Sequence, residues 1–192
     1  MSRVWKVFLG TFVLFLAASV PFLYGAHRQY LLRNFRVVED GVLYRSGQLT
    51  PEGLERVLHD YGIKTVVTLR TVRDPNKPDP DAWEKDLCEA RGVKHVRIIP
   101  RVWGPDEKGE IPAEQAVQEF VKVMDDRATH PVLLHCFAGI HRTGTMCAIF
   151  RMEFHRWNVE PTLAEMQLCG FDPADMHEHI EGYLRKYRPR WK

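Results

Sequence analysis

Cys136 and Arg142 stand six positions apart in the run His135-Cys136-Phe137-Ala138-Gly139-Ile140-His141-Arg142-Thr143-Gly144. A cysteine thiolate is a strong nucleophile. A guanidinium is a planar fork of donors that matches two oxygens of a phosphate, which a lysine cannot reproduce. Pro131-Val132-Leu133-Leu134 ahead of the run is short and apolar, as expected of a buried parallel strand. From Thr143 onward, Met146, Cys147, Ile149, Phe150, Met152 and Phe154 spread almost all round a helix, so that helix is expected to be central and buried. The loop therefore joins the C-terminal end of a strand to the N-terminal end of a helix, where open α/β sheets bind their ligands. Backbone N–H groups of residues 137–142 can converge there on an anion, and the helix dipole adds positive potential. The same field, with Arg142, favours thiolate over thiol at Cys136. Gly139 and Gly144 relieve the steric limits of a tight turn. The Thr143 hydroxyl is placed to hydrogen-bond the sulfur or a later thiophosphate. His135 lies on the strand side of the cysteine, which suits ordering the loop better than acting as a base.

His-Cys, five residues, then Arg-Thr-Gly resembles the signature loop of the cysteine-based protein tyrosine phosphatase superfamily, and the match is complete. Tyr44-Arg45-Ser46-Gly47-Gln48 and Val66-Val67-Thr68-Leu69-Arg70 resemble the compact dual-specificity-like branch found in bacteria, plants and fungi, which includes inositol-pyrophosphate phosphatases. The resemblance covers Phe35 to Tyr187. It implies a phosphomonoester hydrolase working through a cysteinyl-phosphate: Cys136 attacks phosphorus, Arg142 and the loop amides of Phe137, Ala138, Gly139, Ile140 and His141 hold the oxygens, and water releases phosphate. It implies no metal and no cofactor. It also implies a general acid on a loop some thirty residues before the cysteine. Asp106, in Trp103-Gly104-Pro105-Asp106-Glu107, is 136 − 106 = 30 positions upstream, with Glu107 as the alternative. A solvated surface turn has the same Gly, Pro and Asp content.

Elements must hold these groups in place. Val37-Val38, Leu43-Tyr44-Arg45, Thr65 to Leu69, Val93 to Ile99 and Val132 to His135 read as strands. Thr50-Pro51, Asp79-Pro80 and Asp172-Pro173 read as helix starts with proline at the first helical position, and Ile111-Pro112 opens a helix toward Asp126. Thr162-Leu163-Ala164-Glu165 has the capping-box pattern. The alternation predicts an α/β fold: a central, mostly parallel sheet of four to five strands flanked by helices, with a hairpin of Val37-Val38 and Leu43-Tyr44 adding antiparallel edge strands. Residues 35–190 form the phosphatase domain in this reading.

Residues 7–26 carry no charged side chain. As a helix they span about 30 Å, the thickness of a bilayer core, with Trp5 and Tyr24 at the interfaces. They are expected to be a single-pass transmembrane anchor, followed by a linker over 27–34. A cleaved signal peptide, with Ala17-Ala18-Ser19 at its end, is the alternative. Arg3, Lys6 and the amino terminus balance Arg28, Arg33 and Arg36 across the span, so charge does not orient it. Four cysteines without a disulfide spacing, and a thiolate that survives best in a reducing compartment, favour a cytoplasmic catalytic domain.

The net charge is +2, too small to suggest nucleic acid as a partner. Asp74, Asp79 and Asp81 read as a loop into a capped helix rather than a calcium site. His177 and His179, two apart on a helix, point away from each other, and a zinc site of His135, Cys136 and His141 conflicts with the phosphate loop. Arg45 and Arg70 are candidates to approach substrate or to form surface ion pairs. A non-catalytic phosphate-binding module and a rhodanese-like sulfurtransferase are the alternative functions. The partner is a phosphorylated substrate: a phosphoprotein, or an inositol or lipid phosphate.

Overall fold

Val132–His135, the apolar run before the cysteine, is the central strand of a five-stranded sheet. The computed structural model describes residues 3–71, 79, 81–172 and 178–192. Its strands are β1 (Arg36–Glu39), β2 (Leu43–Ser46), β3 (Thr65–Thr68), β4 (Lys94–Arg97) and β5 (Val132–His135), in the order β1-β2-β5-β3-β4. β5 is parallel to both β2 and β3, and β3 is parallel to β4. Only β1 runs antiparallel. The expected edge hairpin is thus corrected: β2 is interior, because all four of its residues are buried and its free side pairs with β5.

Successive residues of a strand face opposite sides, and the core divides accordingly. Tyr44, Val66 and Leu133 pack with Leu54, Val57 and Leu58 of α2 (Pro51–Asp60) and Cys88 of α3 (Ala82–Ala90). Leu43, Val67 and Leu134 pack beneath α4 (Glu114–Asp125), α5 (His141–Phe154), α6 (Val159–Leu168) and α7 (Glu178–Lys186). α5 lies at the centre of that layer and buries ten of its fourteen residues, as its all-round apolar pattern predicts. The three interior strands β2, β5 and β3 therefore have two covered faces, the ordinary condition of a parallel sheet.

Thr50 caps α2 as expected, its hydroxyl accepting from Gly53 N at 3.1 Å with Pro51 at the first helical position. Asp81, at the start of α3, makes no side-chain cap because its carboxylate is taken by Thr68 and Arg97. Pro80 and Pro173 lie outside the described residues. The capping box at Thr162 is a correction. α6 begins four residues earlier, after Asn158, and Thr162 Oγ1 donates to the Val159 carbonyl inside the helix. Pro161 falls in the first turn, where its missing N–H costs nothing.

The N-terminal helix α1 (Arg3–Leu31) is longer than the predicted span and runs through 27–31, part of the expected linker. Its end is seated on the domain: Leu32 and Phe35 join the α2 side of the core, and Gly53 sits so close to the Leu31 carbonyl that a Cβ there would lie 2.0 Å from it.

Candidate active site

Residues 136–140 leave β5 and turn into α5 with their carbonyls held from behind. Gln48 N donates to Phe137 O at 3.0 Å, Asn34 Nδ2 to Ala138 O at 2.8 Å, and Arg45 Nη2 to Gly139 O at 2.7 Å. A trans peptide is planar, with its C=O and N–H on opposite sides. Holding these three carbonyls back therefore turns the N–H groups of Ala138, Gly139 and Ile140 the other way. Gly139 N shows it directly, donating to Cys136 Sγ at 3.2 Å. Gly139 adopts φ +76°, and a Cβ there would lie 2.4 Å from Gly47 N. Gly144, by contrast, takes an ordinary helical place in α5 near Met166, so the expectation that it eases a turn is corrected.

Arg142 is steered by Nη1, which donates to Leu69 O at 3.2 Å and to Thr71 Oγ1 at 3.4 Å. Thr143 is fully buried, and among the described residues its hydroxyl makes no hydrogen bond, so the expected bond to the sulfur is made by the Gly139 amide instead. Arg45 is neither a surface ion pair nor a substrate contact: it is 3% exposed and supports the loop from inside the protein.

His135 is buried at the end of β5, on the strand side of the cysteine. Its Nε2 meets Glu84 Oε1 at 2.8 Å, and its Nδ1 faces Cys136 O at 3.4 Å. Glu84 Oε1 also meets His95 Nε2 at 3.0 Å, and Oε2 accepts from Gln48 Nε2 at 2.8 Å. Gln48 Oε1 in turn accepts from Arg70 Nη1 at 3.2 Å. A buried carboxylate thus joins the strand before the cysteine to the arginine at the mouth. Burial alone would raise Glu84, but the charge and hydrogen bond of His135, then those of His95, outweigh it and hold the carboxyl at about 2. Asp81, Glu84 and His95 lie close enough to suggest a metal, yet the oxygens of Asp81 already meet Thr68 and Arg97, and those of Glu84 meet two histidines and Gln48.

Cys136 opens into a cleft of about 330 Å³ lined by Arg101, Trp103, Phe137, Ala138, His141, Arg142 and Ile180. Arg70 and Thr71 adjoin it across Phe137 and Arg142. Burial pushes Cys147 up to about 11, and burial with the charges of Glu84 and Glu89 pushes Cys88 up to about 12. Both are held as thiols, away from the cleft into which Cys136 opens.

Asp106 does not line the cleft. Its Oδ1 accepts from Lys108 N at 2.8 Å and Glu110 N at 2.9 Å, closing an exposed turn, and Glu107 is exposed beside it. Three residues earlier, Trp103 is buried against Tyr183 and forms part of the cleft wall, so the same loop is rooted in the site. Asp79 and Asp81 both pair with Arg97, at 2.8 and 2.6 Å, while Asp74 and His177 lie outside the described residues.

Sequence reasoning missed Asn34, Glu84 and the role of Gln48. Glu84 carries one local signal, a carboxylate on the inward face of an amphipathic helix beside Cys88. Asn34 carries another, a positive φ of 51° in a residue type that tolerates it.

Comparison with known proteins agrees with this geometry. The model of the family described as "DSP-PTPase phosphatase fused to NAD+ Kinase" matches residues 31–181. OCA1, a tyrosine-protein phosphatase-type protein of Mycosarcoma maydis, is 32% identical over 137 residues, 69% of this chain and 77% of that protein. Inositol diphosphatase DSP3 of Arabidopsis thaliana is 31% identical over 70% of this chain, which spans 61% of that enzyme, less than two thirds. The crystal structure of the Pseudomonas aeruginosa protein TpbA superposes with a TM-score of 0.61 at 25% identity, covering 81% of this chain and 85% of that one. The chain belongs to the DSP-PTPase family of that model and is a cysteine-dependent phosphatase of the tyrosine and dual-specificity type.

Proposed function

We propose that this phosphatase acts on phosphotyrosine in proteins, with Cys136 as nucleophile, Arg142 and the amides of residues 137–142 as the oxyanion cradle, and Asp106 as general acid. The observation that carries the substrate reading is the wall of the cleft. Trp103, Phe137, Ala138 and Ile180 are apolar and stand over Cys136, which suits an aromatic leaving group. TpbA, the relative at 25% identity, has been crystallised in complex with phosphotyrosine. A second reading has its own support: Arg33 and Arg70 lie 4.2 and 5.3 Å from the Phe137 ring, cations beside the mouth that favour a polyphosphate such as an inositol diphosphate. Comparing kcat/KM on a phosphotyrosine peptide and on an inositol diphosphate decides between them. The peptide is expected to win by at least about tenfold, and the reverse ranking transfers the assignment to inositol phosphates.

The acid must reach the cleft by movement of the loop that Trp103 roots. No carboxylate lines the cleft among the described residues, and Asp106 is exposed on that loop. Asp106→Asn retains the oxygen that closes the turn and removes only the proton donor. It is expected to lower kcat by about 10²-fold on phenyl phosphate and far less on para-nitrophenyl phosphate, whose leaving group needs no proton. If Glu107→Gln gives that pattern and Asp106→Asn does not, the role belongs to Glu107.

We further read α1 as a single-pass membrane anchor with the catalytic domain on the cytoplasmic side. The most apolar 18-residue window of Phe8–Leu31 has a mean hydropathy of 1.8, and none of it is buried. All four cysteines are free, as a reducing compartment would keep them. Retention of the full chain in membranes through alkaline carbonate washing is the expected result, and release would point to a cleaved leader.

A further inference from the structure

Of the three carbonyls held behind the phosphate loop, two are held from β2 and the residues just after it, but the middle one is held from outside the domain predicted from sequence. We propose that Asn34, fixed in turn by Gln29 of α1, is a positioning residue of the active site, so that the end of the N-terminal helix takes part in forming the oxyanion cradle. This inference rests on the phosphatase chemistry of the family and is independent of whether α1 crosses a membrane.

Gln29 Nε2 donates to Asn34 Oδ1 at 3.1 Å, and Asn34 Nδ2 donates to Ala138 O at 2.8 Å. The first bond decides the second. With its oxygen engaged by Gln29, the Asn34 amide can present only its NH₂ to the loop, and a carbonyl needs a donor. The peptide it grips is the one between Ala138 and Gly139. Its other side is the Gly139 N–H, which meets Cys136 Sγ at 3.2 Å. The hydrogen-bonded path from α1 thus ends on the nucleophile itself. The neighbouring residue reinforces the seat: Arg33 O accepts from Gly47 N at 2.7 Å, and its guanidinium lies over the Phe137 ring. Asn34 holds a left-handed backbone, φ 51°, which aims its side chain without the help of secondary structure.

The test uses the full chain in detergent micelles and reads vanadate affinity together with kcat and KM for para-nitrophenyl phosphate. Asn34→Gly keeps the left-handed backbone and removes only the amide. It is expected to weaken vanadate and lower kcat about tenfold, with KM for the substrate moving less. Gln29→Glu is the discriminating variant. A carboxylate cannot donate, so it draws the Asn34 NH₂ to itself and turns Oδ1 against the Ala138 carbonyl. Gln29→Glu is therefore expected to fall as far as Asn34→Gly, and Gln29→Ala distinctly less. A merely structural contact on this exposed helix surface would not separate glutamate from alanine. Wild-type vanadate affinity and kcat in Asn34→Gly, or equal behaviour of Gln29→Glu and Gln29→Ala, would overturn the proposal. If Asn34→Gly does not fold, the Gln29 pair decides alone. Vanadate binding by the unsubstituted chain shows separately that the cradle is intact.

Discussion

Cys136→Ser is expected to lose about 10³-fold or more in kcat on para-nitrophenyl phosphate while still binding inorganic phosphate within a few-fold of the wild type. The two halves of that result come from different parts of the loop. Binding depends on the amides turned by Gln48, Asn34 and Arg45, and on the Arg142 fork steered by Leu69 and Thr71. Of these groups only the Gly139 N–H touches the atom that changes, and a serine oxygen can accept that bond in place of the sulfur. Turnover depends on an ionised nucleophile. A serine hydroxyl must be deprotonated by a base, and among the described residues no base is hydrogen-bonded to the Cys136 side chain: His135, the adjacent imidazole, has Nε2 committed to Glu84 and Nδ1 turned to the Cys136 carbonyl. Turnover and phosphate affinity, measured by initial rates and calorimetry, check both halves. Activity within tenfold of wild type would remove the covalent intermediate from the mechanism. Loss of phosphate binding along with activity would mean that the sulfur helps to shape the loop, through the Gly139 N–H bond.

What the sequence makes legible is what is local. The β5 run, the ten-residue loop and α5 are contiguous, so apolar pattern and residue type specify strand, anion site and buried helix together. Thr50-Pro51 marks a cap because the cap bond spans only three residues. The support behind the loop is not local. Asn34 reaches Ala138 across 104 positions, Arg45 reaches Gly139 across 94, and Glu84 reaches His135 across 51. A side-chain donor to a distant backbone carbonyl leaves no pattern in a one-dimensional string. The place of β2 inside the sheet is hidden for a related reason. A four-residue strand reads the same at an edge or inside a sheet, and only its pairing with β5 makes it interior. Thr162-x-x-Glu165 fails differently. Two starts fit the same segment, and the earlier one wins because Pro161 can occupy a first turn. Asp106 shows the limit for chemistry, since its residue type and spacing fit both a general acid and a surface turn, and its carboxylate is tied into the turn.

Gly139→Ala carries the largest expected effect on the fold of the site, and its mechanism can be separated from ordinary glycine strain. Gly92, at the end of α3, also has a positive φ, +68°, but a Cβ there would meet nothing within 4 Å. Gly92→Ala should therefore show only the backbone penalty, about 1 kcal/mol. Gly139, at φ +76°, carries the same penalty and a collision: its Cβ would lie 2.4 Å from Gly47 N and 2.6 Å from the carbonyl carbon and oxygen of Ser46. All three are backbone atoms of the segment leaving β2, and that strand is locked to β5 on one side and β1 on the other. The strand cannot yield, so the loop must. Lifting the loop off β2 breaks its bonds from Gln48 and Arg45 and misplaces the amide beneath Cys136. A total cost of about 3 kcal/mol is expected, a fall in Tm of about 6–12 °C for a domain of this size. Turnover measured well below Tm should fall by about 10²-fold, because a cradle displaced by an ångström no longer meets the transition state. Thermal unfolding and initial rates on the two alanine variants, side by side, make the comparison. Equal Tm values and wild-type turnover in both would show that the loop is not braced against β2 and draws its geometry from α5 alone.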